Sequence, residues 1–427
     1  MIVVGNKGNM VKTTPPGVVV PFYVYAAIAF LAGSSLLLLT PPGVHYFSPL
    51  TLAITHTMSL GWGTMIILGA SHQLVPVLIE GRLFSSILAY LSFFLAAIGI
   101  PILVYAFYQF NMGFPAHAGA ILVNAAVFVF LVNIAASVIR SKSESVHAVF
   151  VMTATVWLLI TTLMGLLLVC NFTDNILPAD SLHYLSFHAH IGIVGWFLLL
   201  IIGVGSRLIP MFLISKYDNN RLLWRIYVLI NAGLIAFVLT FLYSGWPVMF
   251  VVAIACVLGG VILFGWYCYQ CYKARLRKNV DEQMKVSLAS VAMMAIPVIF
   301  LLVIFVLLAS AVSNSRLVLL YGFTIFFGWI TALILGMTFK TLPFIIWNRV
   351  YQATAGVGKT PTPKDLFSPK IFNGTAVCYL AGFAGFAAGV LVENRFLMAT
   401  GAGLLICCAF LYNLNVFKVV FHKRKKL

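Results

Sequence analysis

The sequence has little charge. Only 8% of its 427 residues are Asp, Glu, Lys or Arg, against roughly a quarter in a soluble domain, and that scarcity excludes a water-soluble globule. Acidic residues are rarer still, nine against 26 basic ones. All nine (Glu80, Glu144, Asp174, Asp180, Asp218, Asp281, Glu282, Asp365 and Glu393) fall between apolar runs or at their ends. Proton pumps and proton-coupled carriers usually keep a carboxylate in mid-membrane, so the pattern argues against proton pumping. The seven cysteines have no disulfide-framework spacing, and nearly all sit inside apolar runs. Cys268 and Cys271 form a C-x-x-C within a helical run and read as reduced packing residues. No small-residue cleavage site follows the first apolar run, which is too long for a signal peptide and is expected to remain as a helix.

What the chain does have is apolar length: 62% of it is hydrophobic. Twelve runs reach the ~20 residues needed to cross a ~30 Å hydrocarbon layer. They are approximately Gly17–Thr40, Leu50–Ile79, Leu83–Phe110, Pro115–Ile139, Val146–Asn171, His183–Ile214, Leu222–Leu242, Trp246–Tyr272, Met284–Val312, Arg316–Trp347, Ile371–Val392 and Phe396–Val420. Of the 26 basic residues, 22 fall in the tails and the even-numbered connections, among them Lys7, Lys12, Lys142, Lys359, Lys425 and Lys426. Arg316 and Arg395 lie on the opposite side, with Arg207 and Lys340 near helix ends. The positive-inside bias then predicts an integral inner (plasma) membrane protein with both termini cytoplasmic. Topology accounts for the formal charge of +17; the lipid bilayer is the expected partner and nucleic acid is not.

Spans two, six and ten share a pattern. Gly-Trp pairs stand at 61–62, 195–196 and 328–329, and fourteen residues beyond each Trp stands Pro76, Pro210 or Pro343. Three residues before each proline comes Gln73, Arg207 or Lys340. The period is 134 and then 133 residues, or four spans. The sequence thus predicts an all-α polytopic membrane protein: one transmembrane domain over 1–427, built of three four-helix repeats at approximately 17–140, 146–272 and 284–420. The second helix of each repeat is expected to face the centre. Gln73, Arg207 and Lys340 would then meet as a positive ring suited to an anion or a quinone headgroup, unless the two cations simply snorkel to the headgroups.

The histidines carry the chemistry. His56 and His190 each stand six residues before the Trp of their repeat; Phe323 holds the third such place. A membrane-embedded imidazole is costly unless paired or functional, and imidazole is a common ligand of heme iron and copper. His188 and His190 lie about 200° apart on a helix, so one of them is expected to be structural. His72, 16 residues or roughly 24 Å beyond His56, belongs to the cytoplasmic end. There it lines an inner vestibule with Gln73 or snorkels at the interface. His45, His117 and His183 lie near loop ends and read as interfacial.

Twelve spans in three arcs, with His188-Ala-His-Ile-Gly-Ile-Val-Gly-Trp196 followed by Arg207-Leu-Ile-Pro-Met211, resemble subunit I of the heme-copper oxidases. The layout is also similar to that of the NnrS-type proteins, which are linked to nitric oxide stress. The resemblance implies that His56 corresponds to the helix-two axial ligand of a low-spin heme. It implies that His190, or else His188, corresponds to the helix-six copper ligand. The remaining ligands fail to match: span seven has no histidine where that family has an adjacent pair, and span ten has Tyr321 and Phe323 where it has two. An ordinary oxygen-reducing terminal oxidase is therefore not expected. One heme between spans two and six, or a copper ion aided by His117, His188 or Met58, is what remains. The resemblance implies electron transfer or oxygen or nitric oxide chemistry, with a redox donor or other respiratory subunits as partners. A non-catalytic assembly partner and an anion carrier are the alternatives.

Overall fold

The computed structural model of the protein describes residues 14–141, 145–243, 247–312, 314–352 and 360–424. Lys7, Lys12, Lys142, Lys359, Lys425 and Lys426 of the charge argument, with Glu144 and Trp246, lie outside the described residues. Among the described residues twelve helices are long and apolar enough to cross a membrane: α1 Pro16–Leu39, α2 Pro49–Leu78, α3 Ser86–Tyr108, α4 Phe114–Arg140, α5 Val146–Asp174, α6 Leu185–Leu213, α7 Asn220–Leu242, α8 Val248–Lys273, α9 Glu282–Ala309, α10 Ser315–Tyr351, α11 Pro369–Leu391 and α12 Arg395–Val420. All twelve sequence-predicted spans are present, with ends displaced by four residues at most. Among the described residues the only β-type pairing is a single bridge between Ser215 and Arg275. The protein is thus all-helical and multi-pass.

The ends follow local chemistry. Ser48, Ser85, Asn219, Asp281, Asn314, Ser368 and Asn394 each cap a helix, the side chain accepting an otherwise unpaired backbone N–H of the first turn. Helix α9 is interrupted at Met294, just before Pro297, which cannot donate to the preceding turn. Neighbouring helices approach closely where side chains are absent. A Cβ on Gly119 of α4 would fall 2.6 Å from the backbone nitrogen of Leu103 and 2.8 Å from its Cα on α3. Gly119→Ala is therefore expected to push these two helices apart at a cost of about 1–3 kcal/mol. The check is the thermal unfolding midpoint in detergent, which should fall; an unchanged midpoint would mean the contact is not that close.

Helices α2, α6 and α10 are the most buried, with 72%, 61% and 67% of their most apolar windows enclosed, against 50% or less elsewhere. Each widens from α- to π-helical winding at the same place: Thr57–Thr64, Ile191–Leu198 and Thr324–Ile330. The wider turn begins one residue after His56, His190 and Phe323. Such segments frequently mark functional sites. The widened turns join one another. Trp62 Nε1 donates to Thr331 Oγ1 and Trp196 Nε1 to Thr64 Oγ1, both at 3.0 Å. Leu198 occupies the third of these equivalent positions.

Seven residues beyond each Trp comes a glycine: Gly69, Gly203 and Gly336. Phe22 of α1 fills the space beside the first, Phe150 of α5 that beside the second, and Ser287 of α9 that beside the third. The same close approach thus recurs against helices one, five and nine.

Candidate functional site

A cavity of about 780 Å³ lies at the end of the bundle formed by the α1–α2, α5–α6 and α9–α10 connections. It falls within the roughly 300–1,000 Å³ typical of small-molecule and cofactor sites. His56, His188, His190 and Tyr321 line it, with Phe107, Phe323 and Phe326 among its apolar walls. It wraps around the tip of α6, where Leu185, Ser186, His188, Ala189 and His190 all reach it. Both His188 and His190 thus border the cavity. The two do point to different sides of the helix, but the cavity borders more than one side.

His56 Nδ1 donates to Leu52 O at 2.8 Å, one turn back on the same helix. That bond fixes the tautomer and leaves Nε2 with a free lone pair. His190 uses the same device, Nδ1 to Ser186 O at 2.7 Å. Its ring neighbours are Tyr321 of α10, at 5.9 Å between centroids, and Phe237 of α7, at 5.4 Å.

The ring the structure brings to His56 is His188, at 6.4 Å between centroids with planes 18° apart. His188 Nδ1 is buried with no hydrogen bond of good geometry, the Thr161 backbone carbonyl being the acceptor nearest its ring. Room for this imidazole comes from Gly165 of α5, where a Cβ would sit 3.0 Å from His188 Cε1. Nothing in the sequence flagged Gly165, because its role depends on a helix 23 positions away.

Whether these residues suit a metal group is a matter of reach and donor number. Two imidazoles sharing one ion, each with a bond of about 2.0 Å, place their ring centres about 6 Å apart. The observed 6.4 Å matches that separation in distance, with the ring planes 18° apart. Among the described residues no three His, Cys, Asp or Glu side chains gather as a metal site. A copper or zinc ion held by protein alone normally wants three or four donors. A heme brings four ring nitrogens of its own and asks the protein only for axial ligands. The donor set fits heme better than a bare copper ion.

The other sequence-derived candidates lie elsewhere. His117 does not line the cavity; its Nδ1 bonds Gly113 O at 2.8 Å and its Nε2 lies 3.4 Å from Thr173 Oγ1. Met58 does line it, fully buried. His72 is neither interfacial nor in a vestibule: it is 0% exposed, its ring 5.4 Å from Phe22 and 5.3 Å from Phe130. The helix continues past it and α1 and α4 cover it, so its side chain has no route to the headgroups.

Each member of the expected ring of Gln73, Arg207 and Lys340 has its own surroundings. Gln73 keeps a buried, unpaired Oε1, Arg207 is exposed, and Lys340 turns to Asp281 at the start of α9. The carboxylate that neutralises Lys340 comes from a connection distant in sequence, which the repeat could not reveal. Cys268 and Cys271 are free and buried against Tyr267. No protein-family profile matches the chain, and no curated protein matches its sequence.

Proposed function

We propose that the protein is a heme-binding integral membrane protein of heme-copper-oxidase-like architecture, acting as an electron carrier and not as a terminal oxidase. The observation that carries this reading is the His56–His188 pair, near-parallel and 6.4 Å apart, on the wall of a largely apolar cavity. Heme bound there would supply one-electron chemistry, its potential tuned by the residues that hold it and by the burial of the site. The chain's residues hold and orient. His56 is locked by Leu52 O, His188 is seated in the gap at Gly165, and Phe107 packs 4.6 Å from the His56 ring. A heme there would be held by His56 and His188.

The threefold repeat belongs to the same reading. Recurring π-helical turns, the Trp–Thr bonds between α2, α6 and α10, and the glycines at 69, 203 and 336 support three four-helix units around a common axis. The charge bias of the connections supports cytoplasmic termini and an inner-membrane location. Copper remains a lesser occupant because the donors are few.

A second reading, a metal-free oxidase relative that assists assembly or binds respiratory subunits, is favoured by Phe323 at the third histidine place. The anion-carrier reading gains no support, since Lys340 is already paired with Asp281.

The deciding experiment is an absorption spectrum with pyridine hemochrome analysis of the purified chain. A Soret band and stoichiometric heme are expected. A colourless protein that takes up no added heme would overturn the proposal and leave the metal-free reading.

A further inference from the structure

A second recess, of about 370 Å³, opens between α7 and α8 beside the α6–α7 connection, at the end of the bundle opposite the histidine-lined cavity. Asn219 caps α7 there, its side chain accepting the Leu222 N–H at 3.0 Å. Arg221 and Arg225 of α7 line the recess, with Leu263 and Trp266 of α8 on its other wall. Residues four apart share a helix face, so the two guanidiniums serve the same space. Both arginines are exposed, and neither has an ion pair or hydrogen bond among the described residues. No Asp or Glu lines the recess. The two cations also sit in the first two turns of a 23-residue helix, against the positive end of its dipole. Unpartnered like charges and the dipole both call for an anion.

The walls say what that anion is attached to. Trp266 is 52% exposed, with its ring 5.7 Å from that of Tyr269; exposed Trp and Tyr favour the level where headgroups meet acyl chains. Val228, three residues beyond Arg225, and Ile262, four before Trp266, continue the same two faces toward the middle of the membrane. Both are well exposed, at 59% and 60%. The surface thus runs from cationic through aromatic to aliphatic, the order of headgroup, interface and acyl chain. A free phosphate would use only the first part of it.

We infer that this recess binds a phospholipid of net negative charge, its phosphate held by Arg221 and Arg225 and its acyl chains lying along Val228 and Ile262. Guanidinium–phosphate bonds are charge-assisted and often bidentate. A choline headgroup would bring its own cation beside the two arginines, so anionic lipid is preferred. Basic connections attract such lipid diffusely; a paired-arginine recess holds one molecule. The site lies at the other end of the bundle from His56 and His188 and does not depend on what fills their cavity.

The test is native mass spectrometry of the full chain in neutral detergent, titrated with phosphatidylglycerol, phosphatidylcholine or inorganic phosphate. One phosphatidylglycerol per chain is expected to bind ahead of any others, and the Arg221→Gln, Arg225→Gln variant to bind it about tenfold more weakly, equivalent to about 1.4 kcal/mol. Lys423→Gln with Arg424→Gln, which removes the same charge beyond the end of α12, should leave that binding unchanged. Phosphatidylcholine should bind more weakly, and inorganic phosphate should neither bind nor compete. Equal losses in the two double variants, no loss in either, or equal binding of phosphatidylcholine would overturn the site. An inorganic phosphate adduct that disappears with the two arginines would make this a free-anion site and overturn the lipid assignment.

Discussion

His188→Ala is expected to strip the protein of its low-spin heme spectrum and weaken heme retention by at least about tenfold, and His56→Ala to do the same. Losing one axial imidazole removes half of what the chain contributes to the iron, while changes merely to a ligand's outer partners already cost about 10–100-fold in metal affinity. His190→Ala is the discriminating control. Its ring faces Tyr321 and Phe237 rather than His56, so heme content and spin state should persist. The readings are the Soret position, the pyridine hemochrome stoichiometry and the electron paramagnetic resonance spin state. If His190→Ala loses the heme and His188→Ala keeps it, the axial pair is His56 and His190, and the 6.4 Å contact is simple packing. Gly165→Ala, which crowds His188 Cε1, should give an intermediate result with a shifted spectrum and retained heme.

The histidine pairing marks where the sequence stops being legible. Span number and ends follow from hydropathy and capping residues, both local, and they were readable to within four residues. The inward placement of α2, α6 and α10 was also readable, because Gly-Trp and proline recur at a fixed period. The same period carries Gly69, Gly203 and Gly336, a signal present and overlooked. His188 was judged by its angle on a regular helix. That geometry was sound, but whether an imidazole reaches a cavity depends on how much of the helix tip the cavity surrounds, and on the missing side chain at Gly165 of another span. Depth alone places His72 toward the cytoplasmic end. Its burial comes from Phe22 and Phe130, on helices whose rotation about their own axes the sequence does not state. Repeat position groups Lys340 with Gln73 and Arg207, yet the repeat is silent about the acid facing it.

That acid carries the second large effect. Asp281 caps α9, its Oδ1 accepting the Met284 N–H at 3.2 Å. Its Oδ2 meets Lys340 Nζ of α10, Arg277 Nη2 at 3.3 Å and Lys364 Nζ at 3.6 Å. One carboxylate therefore ties the α8–α9 connection, α10 and the α10–α11 connection together. Lys340 is only 9% exposed and Asp281 13%. Removing the acid leaves a nearly buried ammonium beside two further cations, so Asp281→Ala is expected to cost about 3–5 kcal/mol, including a lost helix cap of about 1 kcal/mol. Asp281→Asn retains a capping oxygen and should cost less. Lys340→Met leaves Asp281 with Arg277 and Lys364 and should cost about 1 kcal/mol or less. In the Asp281→Asn background, Lys340→Met should restore stability, since the stranded charge is gone. Burial alone would raise the Asp281 carboxyl, but the Lys340 hydrogen bond and charge, the Met284 N–H and Arg277 together hold it below the usual carboxylate value. A depressed acid stabilises the fold above its unfolded pKa of about 3.9, and that contribution fades as pH falls through the lower folded value. Thermal midpoints in detergent, taken from pH 7 down into the acid range, should therefore drop less steeply for the Asp281→Asn, Lys340→Met double variant than for the wild type. Parallel curves, or a Lys340→Met variant as damaged as Asp281→Ala, would show that the cluster is not what joins these elements.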